Sequence, residues 1–310
     1  MSTRQLTGPD LLKVLCIIFI WGSNFVVMKI GMQSFTPMQL GVGRYFFVVF
    51  PLIFFIKPPK IAFRWLIAYG LFQGVGQFGF LFIGLKVGMT AALASVLMQT
   101  QIFFTGLFSY LFLHEKPGRA LIIGMFIAAL GLMSFAMNYL QPQMDVASQT
   151  TILGFICCLT AASMWAASGI VVKIAQREGS QFGSVNLIVW CGIASLIPFV
   201  LLSLAIDPEI SRTRWLEASW QSILAIVYLG WFSTVLANGF WTNLLKKYGP
   251  NQISPFSLGV PVFGLAAGVV FLGESINAWQ WLGIALILLA LIVVIFGYKI
   301  EQLLKNLLRS

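Results

Sequence analysis

Several polar and aromatic side chains recur at helical spacing inside otherwise apolar segments of this chain. Trp21 and Asn24 share one helical face, and Asn238 and Trp241 share another, because a face repeats every three to four residues. Amides can hydrogen-bond a carboxylate or an ammonium group, and tryptophan faces attract an ammonium group. We therefore predict a cavity for a small, partly apolar, zwitterionic solute. Its predicted lining residues are Trp21, Asn24, Gln77, Met98, Gln99, Gln101, Trp165, Ser168, Asn238, Trp241 and Ser257.

Each of these residues also has a purely structural interpretation. Ser and Thr often bond their own helix, and Asn or Gln can join two helices without touching a solute. Trp21 and Trp165 fit either a cavity lining or a packing anchor that occurs twice. Polar groups at membrane depth are costly unless they are paired, so both interpretations place these side chains inside a helical bundle.

Three charged residues are candidates for a gating or coupling role: Arg44, Glu115 and Glu274. Arg44 is the only strongly basic residue deep in an apolar segment. It could attract a carboxylate, but we favour an arginine that reaches an interface or caps carbonyl groups of a neighbouring helix. For the two glutamates we favour capping of the next helix, because carboxylates are stabilised at helix N-termini. Lys29 and Lys173, near helix ends, are expected to extend to the interface.

The sequence gives little support for catalysis or cofactor binding. A catalytic site at depth would need paired carboxylates, a histidine-rich metal motif or a serine with a histidine. The chain has one histidine, His114, and no acidic residue at the centre of an apolar segment. Its four cysteines lie in apolar runs without metal or disulfide spacing. We therefore predict no enzyme activity, no metal and no cofactor, and the lack of a phosphate-binding loop disfavours an ATP-driven pump.

The composition of the 310 residues indicates a membrane protein. Hydrophobic residues make up 59% and charged residues 9%, with a mean hydropathy of +0.92. A soluble domain carries about 25% charged residues. Apolar runs of about 20 residues fit helices that span a bilayer, whereas strands of a membrane barrel would alternate over about 10 residues. We interpret the net charge of +10 as a topology signal and a lipid contact, not as nucleic-acid binding.

Polar or Pro/Gly-rich breaks divide the chain into ten predicted helices of an all-α, multi-pass fold. The predicted spans are 11–31, 37–57, 65–86, 90–113, 119–138, 151–175, 183–206, 219–246, 251–273 and 278–298. Fourteen of the 19 Lys and Arg residues fall on one side of these spans, and four fall on the other. The positive-inside rule places the larger set, and with it both termini, in the cytoplasm. The basic amphipathic tail 299–310 is expected to continue the last helix along the inner face.

The two halves of the chain are similar in sequence. The aligned segments and residues are Trp21–Lys29 with Trp165–Lys173, Lys86 with Lys247, Phe112–Glu115 with Phe271–Glu274, and Pro51 with Pro198. We place the first repeat in residues 1–142 and the second in residues 143–298. Because each half has five helices, an odd number, the second repeat is inverted relative to the first. Two similar halves of opposite orientation are the architecture of alternating-access transporters.

Five motifs carry a family resemblance. They are Trp21-Gly-x-Asn24-Phe25, Pro37-x-x-Leu40-x-x-x-Arg44, Ser95-x-Leu97-x-Gln99-x-Gln101-x-Phe103-Phe104, Glu115, and Ser257-Leu-x-Val-Pro261-Val. With these motifs the chain resembles the EamA family of the drug/metabolite transporter superfamily. The likeness runs from about Lys13 to Gly297, and within the family it is strongest to bacterial exporters of O-acetylserine and cysteine.

The resemblance implies a multi-pass protein of the bacterial inner membrane that exports amino acids or their derivatives by alternating access. It also implies that helices 1, 3, 4, 6, 8 and 9 surround a central cavity, with helices 5 and 10 at a peripheral or dimer-like face. The expected partners are then the small-molecule substrate, lipid and, in a homodimer, a second copy. A multidrug or sugar/nucleotide-type carrier on the same fold is the alternative. The lack of a central acid favours facilitated export or exchange over proton coupling.

Overall fold

A computed structural model describes residues 6–137, 150–208 and 214–307. Within these ranges, ten helices are long and apolar enough to cross a membrane, which confirms the predicted all-α, multi-pass fold. We number them α1 Gly8–Gly31, α2 Pro37–Val49, α3 Phe63–Lys86, α4 Ala91–Leu113, α5 Arg119–Met137, α6 Ile152–Arg177, α7 Ser184–Ile206, α8 Trp220–Tyr248, α9 Ser254–Leu272 and α10 Ala278–Leu307.

The ends of two helices differ from the predicted spans. α2 ends at Val49, because Pro51 lacks the N–H group that would continue the helix, and a 3-10 turn at Leu52–Phe54 extends the segment. α10 continues without a break to Leu307, as expected for a tail that prolongs the last helix. The predicted repeat boundary at residues 142 and 143 and the last three residues, 308–310, lie outside the described residues.

Hydroxyl side chains cap several helix starts. The Gln39 backbone N–H donates to Thr36 Oγ1 at 3.1 Å, and the Thr36 N–H donates to Gln39 Oε1 at 3.1 Å, so that α2 begins with a reciprocal capping box. Thr90, Thr151 and Ser219 accept backbone N–H groups at the starts of α4, α6 and α8. These side chains satisfy amide groups that have no partner within the helix and that lipid could not bond.

The helices are irregular at corresponding places in the two halves. α3 contains a π-helical segment at Gly70–Gly79, and α8 contains one at Tyr228–Leu236. α4 contains a 3-10 turn at Met98–Thr100, and α9 begins with a 3-10 segment at Ser254–Leu258. In the predicted repeat, α3 corresponds to α8 and α4 to α9. Since π-helices are rare and occur often at functional sites, the paired segments mark the part of the bundle to examine for a site.

The helix packing follows a two-fold pattern. α1 packs against α8 and α9, and α6 packs against α3 and α4, which are their counterparts in the predicted repeat. Three pairs of corresponding helices pack against each other: α2 with α7, α4 with α9, and α5 with α10. This pattern is what two related halves about one axis would produce. The repeat boundary and the cytoplasmic location of the termini stay predictions.

Glycines allow the first half of α4 to lie close to the second half of α9. A Cβ atom on Gly264 would stand 2.6 Å from Ser95 Cβ, and one on Gly268 would stand 2.8 Å from the Ala92 nitrogen. Ser95 Oγ also donates to the Pro261 carbonyl at 3.4 Å. Small residues let helix backbones approach within a bilayer, and here they bring together helices from the two halves.

We predict that Gly264→Val destabilises the protein, because the new side chain would overlap Ser95 of α4. Overpacking of this kind costs about 1–3 kcal/mol. The matched control is Gly169→Val, since a Cβ atom at Gly169 would meet no atom within 4 Å. Thermal unfolding in detergent should show a lower midpoint for the Gly264 variant than for the control. Equal midpoints would contradict the close α4–α9 approach.

Candidate functional site

A polar seam joins the middle of α1 to α8. Trp21 Nε1 donates to the Ser233 carbonyl at 3.1 Å, and Ser233 Oγ donates to Asn24 Oδ1 at 2.8 Å. The ring centroids of Trp21 and Trp241 are 5.5 Å apart. Asn238 Nδ2 donates to the Ser233 carbonyl at 3.4 Å. The structure thus brings four of the predicted site residues together around one serine, and we call Trp21, Asn24, Ser233, Asn238 and Trp241 the α1–α8 seam.

The π-helical segment of α8 explains why the Ser233 carbonyl can serve this seam. In a π-helix the backbone bonds run to the fifth residue, which displaces carbonyl groups from their usual partners. Side chains take up these carbonyls: Thr234 Oγ1 donates to the Leu229 carbonyl at 2.7 Å, and Asn238 Nδ2 donates to the Thr234 carbonyl at 2.7 Å. Backbone irregularity in the bundle is therefore matched by side-chain hydrogen bonds, and Trp21 of α1 joins this set.

The corresponding pair of helices, α6 of the second half and α3 of the first, is joined differently. Ser168 Oγ donates to Gln73 Oε1 at 2.6 Å. Ser168 corresponds to Asn24 in the aligned segments, so both repeats use this position to bond the neighbouring π-helical segment. Trp165, the counterpart of Trp21, is half-buried and packs against the main hydrophobic core. The α6 residues therefore lie beside α3 and outside the α1–α8 seam.

Arg44 extends from α2 and lies between α3 and α8. It is 2% exposed, its Nε donates to Thr234 Oγ1 at 3.0 Å, and its guanidinium carbon lies 3.6 Å from the Phe78 ring centroid. This position inside the bundle differs from the interface or carbonyl-capping position favoured by the sequence. The two contacts belong to the two π-helical segments, Gly70–Gly79 and Tyr228–Leu236. One buried cation therefore bridges the corresponding irregular segments of both halves.

Two buried side-chain polar atoms have no hydrogen-bond partner among the described residues: Arg44 Nη1 and Gln77 Oε1. Gln77 is 4% exposed and directly precedes Phe78, over which the guanidinium lies. Counting nine residues back from the aligned pair Lys86 and Lys247 matches Gln77 with Asn238, whose amide is bonded to α8 carbonyls. Since buried polar groups are normally paired, these two atoms are the strongest indication of a ligand or water position in this part of the bundle.

The predicted residues on α4 and α9 are divided between the core and local hydrogen bonds. Met98 is 2% exposed and belongs to the hydrophobic core, and Gln99 beside it is also buried. Gln101 is half-buried, and its Oε1 accepts from Thr105 Oγ1 at 3.3 Å. Ser257 Oγ donates at 2.7 Å to a carbonyl three residues earlier in its own helix. The structure shows the local helix-bonding interpretation for Ser257.

Glu115 does not cap the next helix, which corrects the interpretation favoured from the sequence. Its two carboxylate oxygens accept from Lys173 Nζ at 3.0 Å and Arg177 Nη2 at 2.8 Å, both from α6. Two cations within reach bind a carboxylate more strongly than the first amides of α5 would. The hydrogen bond from Lys173, together with the nearby charge of Arg177, holds the pKa of Glu115 below its usual value.

Glu274 caps a helix, but not the following one that the sequence favoured. Its Oε1 accepts from the Ala91 N–H at 2.7 Å, and its Oε2 accepts from the Ala92 N–H at 2.8 Å. These amides begin α4, in the other half of the chain. The close α4–α9 packing brings the start of α4 nearer to Glu274 than sequence order suggests, and the positive end of that helix stabilises the carboxylate.

The sequence did not identify Ser233 and Gln73 as residues that hold neighbouring helices together. Ser233 was hidden because its carbonyl becomes available through the π-helical backbone, which hydrophobic periodicity does not report. Gln73 has a signal that was available, since it lies four residues before Gln77 in an apolar segment. The pairing of such amides with a second helix follows from the fold and not from their spacing.

Comparisons with known proteins agree with this architecture. The model of the EamA-like transporter family matches residues 10–137 and 152–296. A protein of Salmonella typhimurium named "Probable amino-acid metabolite efflux pump" is 35% identical over 298 residues, which are 96% of this chain and 98% of that protein. A protein of Escherichia coli with the same name is 32% identical and covers 97% of this chain and 99% of its own length. A solved structure titled "Crystal structure of protein" superposes with a TM-score of 0.59 at 17% identity, over 92% of this chain and 96% of that one, which supports the fold alone.

We predict that Glu115→Gln lowers the thermal stability slightly at pH 7 and that the difference disappears in acid. A carboxylate whose pKa is lower in the folded state stabilises that state above the unfolded pKa, about 4.3 for glutamate, and loses this effect as the pH falls through the folded value. Because the carboxylate is 43% exposed, the effect is at most about 1 kcal/mol. Unfolding midpoints from pH 7 to pH 3 would test this. A difference that persisted at pH 3 would rule out the ion pair as its source.

Proposed function

This chain belongs to the EamA-like transporter family, and we propose that it exports small amino-acid metabolites across the bacterial inner membrane by alternating access. It is a membrane transporter and not an enzyme. The two bacterial relatives named as probable amino-acid metabolite efflux pumps match it over nearly their whole length, which supports a similar substrate class. Cysteine and O-acetylserine are the solutes to test first.

The observation that carries alternating access is the unequal packing of α4 and α9 at their two ends. The first half of α4 packs against the second half of α9 through Gly264 and Gly268, and Glu274 fastens this end to α4. From Gln101 onward, α4 packs against α6 and α5 instead. The start of α9 packs against α10 and α1. α4 and α9 are thus in contact at the Glu274 end and separate at the Glu115 end.

The direction of this opening follows from the predicted orientation. The charge distribution places the end of α4, with His114 and Glu115, in the cytoplasm and the loop with Glu274 outside. With this orientation, we infer a conformation that is closed to the outside and in which α4 and α9 are separated on the cytoplasmic side. Because the halves correspond, the opposite packing of α4 and α9 would give the outward-open conformation.

The α1–α8 seam and the partly exposed Gln101 suit a small solute with polar ends. Trp21 and Trp241 present aromatic surface beside the bonded amides of Asn24 and Asn238. Such a surface binds an ammonium group and a short apolar side chain without a fixed negative charge. This chemistry fits an amino acid or a close derivative better than a large drug or a sugar nucleotide.

Counterflow in liposomes tests the proposed function. Purified protein should exchange labelled cysteine or O-acetylserine for unlabelled amino acid inside, without a pH gradient, because the described spans carry no acidic residue at their centres. Repeating the assay with a pH gradient tests the proposal of exchange without proton coupling. Folded protein that exchanges no amino acid, but does exchange a multidrug substrate or a sugar nucleotide, would replace this proposal with the alternative carrier function.

We predict that Trp241→Ala lowers the counterflow rate by about tenfold, because it removes the aromatic partner of Trp21 while Asn24 and Ser233 remain. The matched control is Trp220→Ala at the start of the same helix, where the side chain is 68% exposed. Both variants should insert and purify like the wild type. Equal transport by the Trp241 variant and the control would show that the α1–α8 seam does not contact substrate.

A further inference from the structure

The guanidinium of Arg44 is buried without a counter-ion among the described residues. The carboxylates of Asp10, Glu115 and Glu178 pair with other cations, and Glu274 binds the α4 amides. The Thr234 hydroxyl and the Phe78 ring satisfy only part of the cation, because Nη1 stays without a partner. An unpaired buried charge is costly, so a chain that keeps one in lipid indicates an anion that arrives from outside.

Gln77 supplies the complementary atom. Its Oε1 is a buried acceptor without a partner among the described residues. Gln77 directly precedes Phe78, whose ring lies beneath the Arg44 guanidinium. Asn238, the counterpart of Gln77, donates its amide N–H groups to the Ser233 and Thr234 carbonyls of its own helix. A cationic donor and a neutral acceptor on neighbouring parts of α2 and α3 match the two ends of a zwitterion.

We propose that Arg44 Nη1 binds the carboxylate and Gln77 Oε1 the ammonium group of an amino-acid substrate. This inference rests on the proposed function and names the residues that would select its substrate class. Both residues are almost fully buried, so the site is occluded in this conformation. The guanidinium contacts one residue from each π-helical segment, and a shift of either segment would expose the site. Substrate admission is thus coupled to movement of α3 relative to α8.

Ligand-dependent thermal stabilisation of the purified protein tests this site without requiring transport. The probes are cysteine, cysteamine, which lacks the carboxylate, and 3-mercaptopropionate, which lacks the amine. Wild-type protein should be stabilised most by cysteine and weakly by each analogue. Arg44→Gln should lose the advantage of cysteine over cysteamine, with at least about a tenfold weaker apparent affinity for cysteine. Gln77→Leu should lose the advantage of cysteine over 3-mercaptopropionate.

The control for the charge change is Arg64→Gln, because Arg64 forms an ion pair with Glu178 at the protein surface. It should keep the wild-type order of the three probes. Arg44→Lys retains the positive charge but lacks the planar, forked N–H donors of a guanidinium, so it should show an intermediate affinity for cysteine. These comparisons separate carboxylate recognition from a general loss of stability.

The outcomes also separate this site from the proposed function. If counterflow of amino acids fails but 3-mercaptopropionate stabilises the wild type and not Arg44→Gln, then the carboxylate site stands and amino-acid export is wrong. If carboxylate probes stabilise the wild type and Arg44→Gln equally, or stabilise neither, the buried atoms are satisfied by water and the proposed site is wrong.

A second inference comes from the two glutamates that correspond in the repeat. Glu274 binds the first amides of α4, whereas Glu115 binds Lys173 and Arg177 of α6. Lys173 corresponds to Lys29, which lies within electrostatic range of Glu274 without an ion pair to it. The two halves of the chain thus place the same pair of residues in two different arrangements.

The geometry points to an exchange of these arrangements between the two transport conformations. In the outward-open conformation, Glu274 releases the α4 amides and pairs with Lys29. Glu115 then releases Lys173 and binds the backbone at the start of α9. Each glutamate therefore alternates between two partners. One is a lysine on a neighbouring helix, and the other is the N-terminus of the helix that closes the cavity on the glutamate's side of the membrane.

The test uses opposite effects of two variants on one distance. Spin labels at the exposed positions Lys116→Cys and Lys246→Cys, with the four native cysteines replaced by alanine, report the opening at the Glu115 end. Glu274→Gln weakens the present arrangement and should shift the population toward the shorter distance. Lys29→Gln weakens only the alternative arrangement and should shift the population toward the longer distance. Shifts in the same direction, or no shift in either variant, would overturn the exchange.

Discussion

The central constraint on this molecule is that lipid offers no hydrogen bonds, so each polar group at membrane depth must find its partner inside the bundle. Ser233 shows how one residue meets this constraint for two residues of α1 at once. Its carbonyl, made available by the π-helical backbone, accepts from Trp21, and its hydroxyl donates to Asn24. Helix α1 is therefore held to α8 by bonds that depend on an irregular backbone, and a regular α8 would leave the Trp21 indole without this partner.

The same constraint shapes the contacts between helices of the two halves. At the α4–α9 crossing, helices of the two halves meet through glycines and through carboxylate-to-amide bonds. A second contact between the halves, from Ser168 of α6 to Gln73 of α3, is a partly buried side-chain bond that holds two neighbouring helices together.

The ten spans could be predicted because the length of an apolar run is set by the bilayer and is visible in the sequence. The partners of Glu115 and Glu274 could not, since sequence order suggests the next helix, whereas the fold brings Lys173 to one glutamate and the Ala91 amide to the other. The π-helical segments were missed for a related reason. Because these spans are apolar on most faces, the sequence gives little periodicity from which an irregular turn could be recognised. The irregular turn nevertheless decides which carbonyls are available and where Arg44 can be held.

A symmetric frame is suited to movement, but it is poorly suited to recognising a solute whose two ends differ. The residues that distinguish the two ends of such a solute must therefore differ between the two repeats. Counting seven residues back from Pro51 and Pro198 matches Arg44 with Cys191, a small buried thiol, so the cation occurs in one half only. Gln77 and Asn238 correspond in position, but Gln77 Oε1 has no partner among the described residues, whereas Asn238 Nδ2 donates to a carbonyl of its own helix. In the proposed mechanism, the positions at which the halves agree support the two conformations. Arg44 and Gln77, where the halves differ, supply the polarity that would distinguish a carboxylate from an ammonium group.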